Sequence, residues 1–491
     1  MPVREIIGRD KEKALLDAVR KSKEAEFVAV YGRRRVGKTY LVREYFSDSP
    51  YYLEASGAKD KPLKVQLENF TKALSKTFFK GVPLATPTSW DAAFEILTHE
   101  LERLQKNLPR GKKIVIFLDE LPWMATKKSG LLQFLDYFWN LHWSRLSSVI
   151  LIVCGSAASW MLEKLISAKG GLHKRITRKI LLEPFTLREA ELYLKSRKIH
   201  LTQKQILDLY MAIGGIPFYL KGVQKGLSAS QNIESLCFEK NGMLYNEFKN
   251  LIESLFEHAD VNLAIIREIV KQGNQLSREA LVATTGIHSG GTLNKRIDEL
   301  EAAGFVQSFL PYGRTKRDTF YRVVDEFSLF HLKWIEPFLA SGMRDEVHGY
   351  WQPLSKTPAV SSWAGLAFES ICFKHLAEIR KALKLDKVSC KIGSWRYIPR
   401  KGSKEEGVQI DLLFDRVDGA ITFCEMKYCE KPFQIDKAYA KNLMQKSETF
   451  QHHFKTTKQL FLAMITTSGL KPTIWSEELV QQEITLKNLF T

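Results

Sequence analysis

Gly32-Arg33-Arg34-Arg35-Val36-Gly37-Lys38-Thr39 is a complete GxxxxGKT phosphate-binding loop, set between the apolar run Phe27 to Tyr31 and a helix-like stretch from Tyr40. The glycines of such a loop let backbone N–H groups close around phosphates, Lys38 brings a point charge to the β- and γ-phosphates, and the Thr39 hydroxyl can join a Mg2+ shell. The setting between strand and helix distinguishes the motif from a chance glycine-rich turn. It predicts an α/β fold with a parallel sheet that binds a nucleoside triphosphate with Mg2+, the nucleotide being ATP on the resemblance given below.

The second half of that site is expected about eighty residues later, where Ile114-Val115-Ile116-Phe117-Leu118 runs into Asp119-Glu120. A continuous apolar run is what a central parallel strand shows when both of its faces are buried. Asp119 is the candidate Mg2+ ligand and Glu120 the candidate group that polarises the attacking water, because phosphoryl transfer needs metal, positioned charge and an oriented nucleophile. Without the loop upstream, the pair would read as a strand end and a solvated turn. A third strand, Ser148 to Cys154, ends in Gly155-Ser156, at the sheet edge where ligands of open α/β folds bind. Ser156 is therefore either a γ-phosphate sensor or the N-cap of a helix over Ala157 to Ile166.

Together with Ile6-Ile7-Gly8-Arg9-Asp10-Lys11-Glu12, Cys154-Gly155-Ser156-Ala157-Ala158-Ser159-Trp160-Met161 and Gly214-Gly215-Ile216-Pro217-Phe218-Tyr219-Leu220, these motifs resemble the archaeal-type ATPases of the AAA+/STAND group. The resemblance covers roughly the first half of the chain and continues more loosely to its end. It implies that Gly8 and Arg9 contact the base side of the nucleotide, and that Pro217 lies in a helical lid against the adenine. On the residues alone, Gly214 to Pro217 is a plain helix stop. Leu172 to Thr177 is similar to the family segment in which an arginine follows Tyr-Gly, ahead of the strand leading to Pro-Phe, here Leu181 to Phe185. His173-Lys174 stand in place of Tyr-Gly. Arg175 becomes the implied γ-phosphate or arginine-finger residue, with Arg178 its rival and a solvated loop arginine the alternative reading of so basic a segment.

The chain has 491 residues, enough for about three domains. Its 45% hydrophobic and 26% charged residues are ordinary for a globular protein. No apolar stretch reaches the length of a membrane span and the amino terminus lacks an apolar signal region, so a cytoplasmic protein with no membrane partner is expected. Cysteines at 154, 237, 372, 390, 424 and 429 form no CxxC pair and read as reduced thiols. The 73 basic and 55 acidic residues give a formal charge of +18, which favours polyanionic partners, nucleic acid first among them.

Along the chain, the ATPase core is expected over 1–182 and a helical lid and bridge over 183–258. A winged helix-turn-helix follows over 259–340, then a linker over 341–362 and a last α/β domain over 363–491. In the winged helix, Ser277 caps a helix from Arg278, Gly286 turns the chain, and a second helix presents Asn294, Lys295 and Arg296. The wing runs Phe305 to Leu310 and Thr319 to Val324, with Arg314, Lys316 and Arg317 at its tip. Such a helix suits the major groove and such a tip suits flanking phosphates, so DNA is the expected partner; winged helices also dock proteins, and Asp298, Glu299 and Glu301 lie near the helix end.

The last domain carries a second constellation. Val408 to Phe414 is a strand pattern holding Asp411, and Ile421 to Lys427 is another holding Glu425 and Lys427 on one face. Asp411, Glu425 and, from a preceding helix, Glu369 are candidate ligands of a divalent cation, with Lys427 orienting or deprotonating water for attack on phosphate. The pattern resembles the PD-(D/E)xK restriction-endonuclease-like fold, although Gln409-Ile410 stand where its motif has a proline. Two functions are open: an ATPase coupled to metal-dependent DNA cleavage, or a nucleotide-switched DNA-binding or scaffold protein whose terminal domain does not cut. The resemblance also implies a homo-oligomer through the ATPase domain.

Overall fold

The computed structural model describes residues 5–491 apart from 110, 167–170, 289, 316–317, 343–348 and 400–404, with the side chains of 171 and 173 also outside the description. The chain divides into two compact units. One comprises Met1–Pro184 with Leu251–Ala259 and Ile297–Gly304; the other comprises Phe185–Asn250, Asp260–Arg296 and Phe305–Thr491.

The first unit is built on strands β1 (Glu26–Tyr31), β2 (Tyr51–Ser56), β3 (Ile114–Asp119), β4 (Val149–Gly155) and β5 (Arg178–Leu181). They form a parallel sheet in the order β2-β3-β4-β1-β5. Every residue of β3 and β4 is buried, as their unbroken apolar runs require once helices cover both faces. Helices Leu63–Phe78, Trp90–Asn107 and Leu131–Leu141 supply one cover. Phe70, Trp90, Phe94 and Trp143 interlock there edge to face or tilted, and the Trp143 indole N–H donates to the Thr98 hydroxyl at 2.8 Å. The register aligns Tyr31 with Gly155 and with Leu181. The carboxyl ends of β1, β4 and β3 therefore lie side by side, with the phosphate loop, Ser156 and the Asp119-Glu120 pair on one edge.

The second unit contains helices Leu187–Ser196, Gln203–Ile213 and Ala229–Cys237, a three-stranded sheet and a five-stranded sheet. Thr186 and Glu189 close a capping box at the start of the first helix. The small antiparallel sheet joins β6 (Leu276–Ser277), β7 (Val306–Phe309) and β8 (Phe320–Val323) in the order β6-β8-β7. Helices Arg278–Thr285 and Gly291–Ala302 separate β6 from β7. Ser277 caps the first by accepting from the Ala280 amide, and Gly286 ends it at φ 68°, as expected from the sequence.

The large sheet joins β9 (Cys390–Tyr397), β10 (Val408–Arg416), β11 (Ala420–Lys427), β12 (Gln459–Thr466) and β13 (Gln482–Thr485) in sequential order. Its first three strands are antiparallel and its last two parallel to β11. The register of β9 on β10 slips between Ile410 and Leu413, a bulge at Asp411.

The linker expected over 341–362 is corrected. From Tyr350 onward it is packed, with helices Trp351–Leu354 and Pro358–Lys374. The Glu234 carboxylate accepts from the amides of Tyr350 and Trp351, and the Trp351 ring stacks on Phe238 at 5.7 Å. Turn residues suggested a linker, but tryptophan and tyrosine made it core. All six cysteines are free thiols. Among the described residues no helix is long and apolar enough to cross a membrane.

Candidate functional site

Gly32 enters the phosphate loop at φ 136°, where an added Cβ would stand 2.4 Å from the Leu182 carbonyl oxygen, so only glycine fits. Gly37, at φ 93°, opens helix Lys38–Tyr45, whose N-terminal amides face the loop. The Lys38 ammonium is buried and donates to the carbonyls of Gly32 at 2.9 Å and Arg33 at 2.8 Å. Burial lowers its pKa, against the opposing pull of Glu120 and Asp119.

Across the edge, the Thr39 hydroxyl donates to Asp119 Oδ2 at 2.9 Å. Asp119 Oδ1 is buried and has no hydrogen-bond partner among the described residues. Burial, with Asp119 beside it, pushes the Cys154 thiol well above its ordinary pKa. An orphaned carboxylate oxygen next to a threonine hydroxyl and a phosphate loop fits a hard divalent cation, which would take both side chains as ligands directly or through water.

Glu120 occupies a left-handed backbone conformation at φ 49°. Its Oε2 accepts from the Ser156 amide at 3.0 Å and from the Ser156 hydroxyl at 2.9 Å. Of the two roles expected for Ser156, the N-cap is not what the structure shows. The helix after it starts at Ala158, is four residues long and has no side-chain cap, and a π-helical turn over Leu162–Ile166 follows. The Ser156 hydroxyl donates to the carboxylate beside it and so holds Glu120 in place.

Other expected nucleotide contacts are redistributed. Gly8 and Arg9 are both left-handed, at φ 62° and 58°. The buried Arg9 guanidinium donates to the carbonyls of Glu183 at 2.6 Å and Val36 at 3.1 Å. It staples the opening segment to the phosphate loop.

Arg178 lies 4.0 Å from Glu26 at the start of β5, and Arg175 precedes that strand, with the Thr177 amide bonded to the Phe27 carbonyl. Five residues of extended strand, roughly 16 Å, separate that level from the loop, so neither arginine serves the chain's own phosphate loop. Pro217 belongs to the second unit, at the first turn of helix Pro217–Leu220. Gly214 ends helix Gln203–Ile213 at φ 67°, and an added Cβ on Gly215 would stand 1.9 Å from the Phe185 carbonyl oxygen. The helix stop read from the residues alone is what stands there.

In the second unit, Leu412 faces Cys424 across β10 and β11, which sets Asp411 beside Glu425. The bulge turns the Asp411 side chain, and its Oδ2 accepts from the Met426 amide at 3.1 Å. Glu425 is fully buried. Its Oε1 accepts from the Lys446 ammonium at 2.6 Å, its Oε2 accepts from the Tyr439 hydroxyl at 3.2 Å, and Lys427 stands 4.0 Å away. Burial first, then Asp411, raises the Glu425 pKa, while Lys446 lowers it. Glu369, from helix Pro358–Lys374, joins the set, its carboxyl pushed up to about 8 by burial and then by Asp411.

The expected three-carboxylate ion site of Glu369, Asp411 and Glu425 is corrected. Among the described residues no three such groups converge as metal ligands. Lys446 already compensates Glu425, and burial raises the Glu369 carboxyl above its ordinary range. Lys446 and Tyr439 were missed in the sequence; their one signal is the shared helix, Lys437–Phe454, seven residues apart on one face.

The nucleic-acid residues expected in the winged helix separate. Arg296 is buried, because its place on the helix faces inward. Lys295 and Arg314 are exposed, and Asn294 accepts from the Arg278 guanidinium at 2.7 Å. Lys316 and Arg317 lie outside the described residues.

Residues 7–223 match a family model described as an ATPase domain predominantly from Archaea. An uncharacterised protein of Methanocaldococcus jannaschii is 24% identical over 449 residues, 90% of this chain and 92% of that one. Among solved structures the chain is similar to the Walker-type ATPase of Pyrococcus abyssi, at 17% identity and a TM-score of 0.45 over 67% of this chain and 96% of that one. It is also similar to the ORC2 protein of Aeropyrum pernix in its ADPNP–ADP complexes, at 15% identity and a TM-score of 0.43 over 69% and 96%. Residues 7–223, which hold the parallel sheet and the phosphate loop, are thus similar to an ATPase domain of archaeal type.

Proposed function

We propose that ATP bound and hydrolysed by the first unit drives nucleic-acid processing, most directly phosphodiester cleavage of DNA, by the carboxylate–lysine cluster of the second. For the ATPase, the carrying observation is the Thr39–Asp119 pair with its orphaned Oδ1 beside the loop. A Mg2+ ion there would neutralise charge on the phosphates. Lys38 and the loop amides hold the β- and γ-phosphates, and Glu120 orients water. The water oxygen bonds to the γ-phosphorus, the bond to the ADP oxygen breaks, and the water proton passes to Glu120 and on to solvent. Arg175, remote from its own loop, suits a neighbouring copy's nucleotide, which is the reason for proposing a homo-oligomer through this domain.

For the second unit, the carrying observation is the bulge that brings Asp411 beside Glu425 and Lys427. Lys427 meets the phosphate charge and orients the attacking water. The water oxygen bonds to phosphorus, the bond to the leaving sugar oxygen breaks, the water proton goes to solvent, and the leaving oxygen takes a proton from solvent. A second reading, a nucleotide-switched DNA-binding protein that does not cut, is favoured by one observation, the Lys446 ammonium seated on Glu425.

A nuclease assay with Mg2+ or Mn2+, with and without ATP, separates the two. Cleavage that disappears in Asp411→Ala and in Lys427→Ala, with ATP binding intact, supports the first reading. No cleavage of single-stranded or duplex DNA or RNA under any condition leaves the second. Cleavage that survives both substitutions places the chemistry elsewhere.

A further inference from the structure

The wing of the helix-turn-helix module is docked on the large sheet. The Tyr312 amide donates to the Ser394 carbonyl at 2.8 Å, its hydroxyl donates to Asp415 at 2.7 Å, and its ring packs on Phe454 at 4.8 Å. An added Cβ on Gly313 would stand 2.9 Å from that same ring. A segment held this way at Tyr312 and Gly313 cannot straddle a duplex as a free wing does. It instead walls one side of a cavity of about 280 Å³, into which Arg278, Arg314, Arg322 and Arg396 open together with Glu369 and Asp411 of the cluster.

Arg278 and Arg322 are not there to balance those acids. The Arg322 guanidinium lies 4.1 Å over the Phe373 ring and 5.0 Å over the Phe309 ring and donates to Gln307, and among the described residues it meets no carboxylate; burial lowers its pKa to about 10. Arg278 likewise donates to neutral acceptors, the Tyr321 hydroxyl at 3.0 Å and Asn294 at 2.7 Å. Of the other carboxylates in the lining, Asp318 is drawn onto the Thr315 amide and hydroxyl and Glu279 lies at the rim. A cation kept partly desolvated without an anion is costly unless an anionic ligand supplies one.

We propose that this cavity receives one nucleotide of a single-stranded nucleic acid, with its phosphate on the arginines, its base against the Arg322–Phe373 stack, and the adjoining phosphodiester delivered to Asp411. The size decides against a duplex: the volume is at the lower end of ligand pockets, about 300 Å³, whereas the major groove of a duplex alone is about 12 Å wide. Arginine planes and aromatic faces beside a basic wall are the recurring platform for unpaired bases, since every base has a face to stack. The cut rests on the hydrolytic reading of the cluster; the binding does not.

The test is fluorescence anisotropy in EDTA without nucleotide, using a short labelled oligothymidine, the same length as blunt duplex, and free thymidine monophosphate as competitor. Wild type should bind the single strand at least about tenfold tighter than the duplex. Arg314→Ala/Arg396→Ala, at exposed positions, should lose about tenfold in single-strand affinity while its melting curve is unchanged. Equal affinity for single strand and duplex, an unchanged affinity in the variant, or competition showing that the mononucleotide binds as tightly as the oligonucleotide would each overturn the assignment. Because binding is read without metal, a protein that never cuts but binds as stated defeats only the hydrolytic reading, and a protein that cuts duplex with the variant unaffected defeats only the cavity.

Discussion

Replacing Lys38 by alanine isolates the nucleotide site from the fold around it. The ammonium is 6% exposed and spends itself on two loop carbonyls, those of Gly32 and Arg33. On binding it must exchange them for phosphate oxygens, so the variant loses a buried, charge-assisted partner of the ligand. Truncating one member of such a pair costs ~2–5 kcal/mol, and at about 1.4 kcal/mol per decade the Kd for ATP should rise from ~30-fold to several thousandfold. The ligand-free protein should be little affected. The variant gives up two hydrogen bonds from a charged donor, each worth about 1.5–3 kcal/mol, but also sheds an ammonium whose lowered pKa records the penalty of burying it. Calorimetric titration with Mg-ATP, alongside thermal melts with and without the nucleotide, reads both quantities. Wild type should melt higher as ATP exceeds its Kd, and the variant at the same concentration should not. An unchanged Kd in a normally melting variant refutes the phosphate-loop assignment.

Glu120→Gln should keep ATP affinity within about threefold and lower turnover by at least about a hundredfold, the scale of a removed general base; steady-state hydrolysis equal to wild type would remove Glu120 from the chemistry. Arg9→Ala leaves the Glu183 and Val36 carbonyls without their donor, so it should destabilise the protein by about 2–4 kcal/mol in urea titration without changing the preference for ATP over GTP; an altered preference would restore Arg9 to the base. His331 is buried, stacked on Phe248 at 4.3 Å, and burial first, then Arg267, lowers its pKa to about 3. Its neutral form is the folded form, so its contribution is fully present above the unfolded value of 6.5 and is lost as pH falls toward 3, with a slope of up to about 1.4 kcal/mol per pH unit. His331→Phe should flatten that acid limb in urea midpoints at pH 7, 6 and 5, and an identical acid limb in the variant would mean His331 titrates normally.

What the sequence disclosed was what is local or periodic. The phosphate loop needs eight consecutive residues, β3 and β4 announce themselves by unbroken apolar runs, and Ser277 and Gly286 bracket a helix by chemistry confined to a single turn. Ser156 was ambiguous for a definite reason. A small hydroxyl after a strand is equally able to cap, to sense phosphate or to hold a carboxylate, and only the β1-β4-β3 order places Glu120, thirty-six residues earlier in the chain, within 2.9 Å of it. The carbonyl contacts of Arg9 were out of reach on the same ground, because its acceptors at Val36 and Glu183 come together only when the sheet is assembled.

The second unit shows the limit more sharply. An Asp on one strand and ExK on the next suffice to suggest a cation site, but charge bookkeeping in a buried cluster depends on every neighbour. The deciding neighbour was Lys446, nineteen residues past Lys427 on a helix whose own pattern gives it no chemical signature. With Lys446 on Glu425, the cluster bears less uncompensated negative charge than its sequence suggests, so it asks less of a metal and more of its lysines. A substrate phosphate arriving there would find Lys427 and Lys446 already gathered. On the proposed hydrolytic reading, anion capture is then the step for which the site is organised in advance, and the release of Lys446 from Glu425 is the rearrangement that a metal-assisted cut would have to include.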